Sequence, residues 1–277
     1  GRYIIPSGTI GVGANAFRDC VNLTGLTIPD SVTEIGYWAF SDCAALTRVF
    51  IPRNVTSISA NSFAHCSRLT EIAVDNVNST YSSDADGVVF NKEKTNLVRY
   101  PSGKAGGYVI PANVTQIGEG AFEGSAGLTN VTIPESVKII EVGTFKSCSS
   151  LVSITIPSSA QSIEPFAFEG CTSLTSITIP ASITNIASYA FYACTNLANI
   201  YFKGNVPVGA SDGSVFARCN KATVYYRPGT TGWGPTFGGR PTAVWQDASA
   251  DLSTAKESRL ADGLIAWWKA DGDALDS

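Results

Sequence analysis

Seven cysteines and a single histidine, His65, are the residues in this 277-residue sequence whose types could carry nucleophilic, metal or redox chemistry. A Cys–His pair makes a thiolate nucleophile when a third group orients the imidazole. Cysteines clustered at short spacing bind zinc, and an even set in a small secreted domain reads as a disulfide framework. The sequence fits none of these. The cysteines stand far apart, at 20, 43, 66, 148, 171, 194 and 219, with no CxxC, and their number is odd. His65 occupies a slot filled in parallel segments by Asp19, Asp42, Ser147, Gly170, Ala193 and Arg218, which reads as a variable, exposed turn. No glycine-rich phosphate motif is present. Asp75, Asn78, Asp84 and Asp86 offer oxygens, but without the spacing of an EF-hand loop. Asp271 and Asp273 read as turn residues. The expectation is therefore no enzyme, no metal and no cofactor.

The cysteine spacing leads to the element behind it. Phe17, Phe40 and Phe63, then Phe122, Phe145, Phe168 and Phe191, recur every 23 residues, and Phe216 follows after 25. A cysteine stands three residues after each of these except Phe122, where Ser125 takes the slot. Six residues after come Leu23, Leu46, Leu69, Leu128, Leu151, Leu174 and Leu197. Further on, alternating Ile, Val and Thr end in Pro29, Pro52, Pro134, Pro157 and Pro180. Period-2 alternation marks a short strand, and proline, lacking a backbone donor, ends it. Ile183 and Ile186 mark a second short apolar segment in the same unit. One unit cannot bury its apolar side alone, but stacked copies can, with strands about 4.8 Å apart. The expected fold is a β-rich solenoid with a repeat of about 23 residues per coil. The cysteines become one repeat position, and seven reduced, buried, unreactive thiols are expected.

The period breaks between Phe63 and Phe122. There, near 75–111, Val88–Phe90 and Leu97–Tyr100 flank the polar turn NKEKTN, which predicts an irregular, hairpin-containing coil. The last coil keeps Phe216 and Cys219, then runs into Gly, Pro and Trp. That is the composition of a C-terminal cap, with Trp233 and Trp245 as its packing.

With these residues in view, the repeat IPxSVTxIGxxAFxxCxxLTxIx resembles the BspA-like leucine-rich repeat family of bacterial surface proteins over about residues 1–245. The resemblance implies a secreted or surface-displayed adhesion or binding module. Residues 246–262 read as a polar linker. Residues 263–277, GLIAWWKADGDALDS, resemble the opening strand of a laminin-G-like, concanavalin-type sandwich domain, or a strand that pairs elsewhere. A sequence that opens GRYIIPSG and holds no methionine reads as a mature or excised fragment.

Composition narrows the partners. Hydrophobic residues make up 44 % and charged residues 15 %, enough apolar material for a large core. A net charge of −4 with no basic patch argues against nucleic acid. No apolar run reaches membrane-spanning length. What is left for recognition is the outward face of the strand ladder. Its slots carry Arg48 and Phe50, Asn130 and Thr132, Ser153 and Thr155, Ser176 and Thr178, Asn199 and Tyr201, and Tyr225. An uncharged row of Thr, Ser and Asn ending in tyrosines suits an extracellular protein or a polysaccharide. The expected function is a non-catalytic extracellular binding or adhesion module. The alternative is a structural spacer or fibre subunit that self-associates head-to-tail through its ends. A third reading makes the segment the targeting arm of a polysaccharide-acting parent.

Overall fold

Alternation of side chains along each strand sets which face is core. In Arg48–Ile51 and in Ser176–Ile179 residues run exposed, buried, exposed, buried. The buried set is Val49, Ile51, Ile177 and Ile179. The computed structural model describes residues 1–209 and 213–245, so the linker and the sandwich-like tail expected at 246–277 lie outside the described residues. The described chain is a β-solenoid of about ten turns with no helix among the described residues.

Each regular coil contributes to two parallel ladders. The main ladder uses the strand that precedes the repeat proline. The second uses two-residue strands such as Glu34–Ile35, Ser57–Ile58, Ile139–Ile140 and Ser162–Ile163, paired at one-coil offsets. Two left-handed residues per coil turn the chain through the AF segment. They stand two before the phenylalanine (Asn15, Trp38, Asn61, Gly120, Gly143, Phe166, Tyr189) and two after it (Asp19, Asp42, His65, Gly124, Ser147, Gly170, Ala193, Arg218). The slot two after the phenylalanine is the variable position that holds His65. Its conformation is fixed although its chemistry is not.

The phenylalanines form a column through the core. Phe17 and Phe40 stack at 5.1 Å, Phe40 and Phe63 at 5.3 Å, and the series from Phe122 to Phe216 continues at 5.0–5.4 Å. Beside the column runs a row of thiols. Cys43 donates to the carbonyl of Phe17 at 3.2 Å, Cys171 to Phe145 at 3.2 Å, and Cys194 to Phe168 at 3.0 Å. Cys66, Cys148 and Cys219 repeat the contact. The cysteine is therefore more than a small apolar plug: it ties each coil to the one before. All seven cysteines are free, but Cys20 is exposed, which corrects the expectation of seven buried thiols. Cys20 belongs to the first coil of the described residues and its thiol, unlike the other six, makes no bond to a phenylalanine carbonyl among them.

The irregular coil is an antiparallel meander, Tyr81–Ser83, Val89–Asn91 and Asn96–Arg99, which contains the expected hairpin and one strand more. Asn96–Arg99 also pairs in parallel with Gln116–Ile117 and so takes a place in the second ladder. Tyr100 puts its ring into the aromatic column, 4.9 Å from Phe122. The buried apolar residues form two clusters that part at this coil. Arg99, almost wholly buried, spans the joint. Its guanidinium donates to the carbonyls of Phe63, Gly120 and Glu123. At the other end, Arg240–Val244 adds a parallel strand beyond Thr223–Tyr226 and folds back antiparallel on Thr236–Phe237. Trp233 stacks on Tyr226 at 5.2 Å and packs edge-on to Phe202 and Phe237, closing the apolar end as the cap reading requires.

Candidate ligand-binding face

The residues singled out for chemistry are occupied structurally. Asn78 is buried. Its amide donates to the carbonyls of Pro52 and Val55 and its oxygen accepts from the backbone of Thr80 and Tyr81. Asp84 accepts from the backbone of Asp86 and Val88, closing a turn. His65 is only half-exposed, against the expectation of an open turn, because Glu123 of the resumed stack lies 3.6 Å from its Nε2. Burial pushes the thiols of Cys148, to about 12, and Cys171 up from their ordinary pKa, whereas the hydrogen bond with the Cys43 thiol holds Cys66 below it. A thiol held protonated in an apolar column is not a nucleophile. Among the described residues, no group of three or more His, Cys, Asp or Glu could hold a metal ion. No helix among them is long and apolar enough to cross a membrane.

The outward slots of the main ladder are brought into register by strand pairing. Asn130 faces Ser153 and Thr132 faces Thr155. Ser176 pairs with Asn199 and Thr178 with Tyr201; Asn199 pairs with Thr223 and Tyr201 with Tyr225. Two rows result, one of Asn and Ser, one of Thr leading to tyrosine. Arg48 and Phe50 are not part of these rows. They sit in a separate two-stranded sheet with Glu71–Val74, on the far side of the irregular coil. Arg48 ion-pairs there with its register partner Glu71 at 2.7 Å, and Phe50 is half-exposed.

The ladder is not continuous. Four sheets share its strands, and one division falls between Ser153–Thr155 and Ser176–Ile179, which touch but carry no ladder pairing. A groove of about 550 Å³ opens at this division. Ser153, Thr155, Ser176 and Thr178 line it, with Ile154 and Ile177 beneath and Glu135, Lys203 and Trp245 around the rim. Ile154 is only partly buried, whereas Val131, Ile177, Ile200 and Val224 in the same slot of other coils are buried. None of the four hydroxyls has a protein hydrogen-bond partner among the described residues. Serines at the second-ladder corner are committed instead: Ser31 donates to Thr9 and Ser159 to Val137.

Trp245 is a correction. It was expected in the cap with Trp233, but it lies on the ladder face, 5.0 Å from the ring of Tyr201 and under the guanidinium of Arg227 at 5.1 Å. Tyr201 and Tyr225 stack at 5.2 Å, so the aromatic end of the ladder is half-buried and held in place. No repeat copy of Trp245 exists to align, so its face was invisible in the sequence. Lys203 did leave a signal, because it replaces proline in the slot of Pro134, Pro157 and Pro180.

Comparison with known proteins supplies context. The family model for the BspA type leucine-rich repeat region matches residues 2–103 and 107–232, in six copies. A leucine-rich cell surface protein from Faecalibacterium prausnitzii is 33 % identical over 81 % of this chain, with a TM-score of 0.65. The present chain covers 59 % of that structure's length. The pneumococcal vaccine antigen PcpA is 21 % identical over 89 % of this chain and 68 % of its own, with a TM-score of 0.73, and shares the fold. A comparison with curated proteins finds no match.

Proposed function

This chain belongs to the BspA-type leucine-rich repeat family, and from that premise we propose that it is a non-catalytic extracellular binding module that engages a protein or polysaccharide through the outward face of its main ladder. The observation that carries this reading is the stack of outward slots from Asn130 to Tyr225, exposed as far as Thr178 and half-buried at its aromatic end, whose groove-lining hydroxyls have no protein partner among the described residues. A row of exposed strand residues costs little to keep, but hydroxyls clear of intramolecular bonds beside ordered aromatics are a recognition surface in solenoids. The surface location is supported by the description of the F. prausnitzii protein as a cell surface protein.

The test is a combined array of matrix proteins and polysaccharides probed with the full chain. Binding to at least one class is expected, and it should fall at least tenfold in a Ser176→Arg, Thr178→Arg variant that blocks the face and still melts cooperatively. No ligand at high micromolar protein, or a ligand indifferent to that variant, sinks the reading. Light scattering separates it from the spacer reading, since a monomer at micromolar concentration removes head-to-tail assembly.

A further inference from the structure

We propose that the groove between Ser153–Thr155 and Ser176–Ile179 is a saccharide subsite, with Trp245 as its apolar wall. The inference rests on the outward ladder being the binding face and assigns a ligand class to one part of it. The groove, at about 550 Å³, falls within the range of small-molecule sites.

Its chemistry is that of a polyol. Four hydroxyls line it, each able to donate and accept, and none is bonded to another of the described residues. They match ring hydroxyls that also do both. Lys203 adds donors at the rim and has no ion-pair partner among the described residues. Glu135 is already committed: its carboxylate accepts from the hydroxyl of Ser158 at 2.9 Å and from the backbone of Ser159 at 3.1 Å. The rim therefore carries one carboxylate, tied to its own serines, and one free ammonium, with no net formal charge.

The apolar side is also provided. Opening the ladder leaves Ile154 only partly buried, and the Trp245 indole lines the same groove. The C–H face of a pyranose is apolar while its edge is hydroxylated, which is the pairing this groove presents. Trp245 is preorganised by Tyr201 and Arg227, so little side-chain freedom is lost on binding.

The experiment uses saturation-transfer NMR on the full chain with a panel of neutral gluco-, manno- and galacto-oligosaccharides. At least one is expected to receive saturation on its ring C–H protons. Trp245→Ala should weaken it tenfold or more, Trp245→Phe less, and Thr155→Val with Thr178→Val several-fold, while Arg18→Ala leaves it unchanged. Far-UV circular dichroism and a thermal melt show whether each variant folds. Absence of transfer to every saccharide, or transfer unaffected by Trp245→Ala and the threonine pair, overturns the proposal. If the array instead yields a protein ligand that the face-blocking variant abolishes while no saccharide binds, the binding face stands and the saccharide subsite falls.

Discussion

The guanidinium of Arg99 lies 3.1 Å from the carbonyl oxygen of Phe63, 36 residues earlier in the chain. In a regular coil that carbonyl would accept from the thiol of the next copy, as Phe40 does from Cys66. The irregular coil has no cysteine, and a buried arginine bonds three carbonyls in its place. Burial pulls the Arg99 pKa down from its ordinary value, yet guanidinium remains charged at any accessible pH. Arg99→Ala should leave the Glu123 carbonyl unpaired at about 1–3 kcal/mol, since the Gly120 carbonyl keeps the Glu123 N–H and the Phe63 carbonyl keeps the Ser102 hydroxyl. Because Arg99 joins two separate core clusters, unfolding in urea should split into two transitions. A single transition with an unchanged midpoint would contradict this.

Thiol reactivity should follow coil position. Cys20 is exposed and the other six are buried, so a native-state reagent should modify one thiol per chain quickly and the rest only on unfolding. Burial, then Cys43 and Asp19, raise the Cys20 pKa, so its labelling should keep accelerating as pH climbs past 9. Mass mapping of the labelled peptide checks the assignment; two or more fast sites would disprove it.

Alkaline pH should weaken the fold through Cys148. The folded Cys148 holds its proton to about 12, against an ordinary 9.0. Below pH 9 both states are protonated and stability does not change through this group. Between 9 and 12 the unfolded chain releases a proton that the folded chain keeps, so stability falls by about 1.4 kcal/mol per pH unit. Denaturation midpoints for wild type and Cys148→Ala at pH 8 and pH 10.5 measure the contribution, which should be smaller in the variant.

Ser125 is the exception in the thiol row, and its buried hydroxyl has no partner among the described residues. Ser125→Ala removes an unsatisfied polar group and should be neutral or stabilising by about 1 kcal/mol. Cys171→Ala removes a bonded donor and a packed atom and should destabilise by a similar amount. Equal losses from both in a thermal melt would refute the distinction.

Gly103 is a place where the irregular coil packs directly against backbone. A Cβ there would fall 2.5 Å from the backbone nitrogen of Leu69, and backbone cannot step aside as a side chain can. Gly103→Ala should therefore cost more than about 2 kcal/mol, whereas Gly13→Ala, with open space around it, should be close to neutral. Chemical denaturation of the two variants compares them directly.

The solenoid was legible because its signals are local and repeated. Phenylalanine at a 23-residue period, leucine six residues on and the Ile–Thr alternation before proline each specify one slot. Stacking in register turns every such slot into a row. The hairpin near 75–111 was readable for the same reason, from apolar runs around a polar turn. Tyr100 in the aromatic column was not, since the step from it to Phe122 departs from the period.

The sequence by itself thus determined the coil, its inward and outward slots and the place where the period breaks, because period-2 alternation and stacking act between neighbours. Tertiary structure alone decided where the ladder parts at Ile154, that Arg99 stands in for a thiol, and that Trp245 faces the groove instead of the cap. Those outcomes depend on single, unrepeated contacts between residues far apart in sequence, for which no periodic copy exists to read.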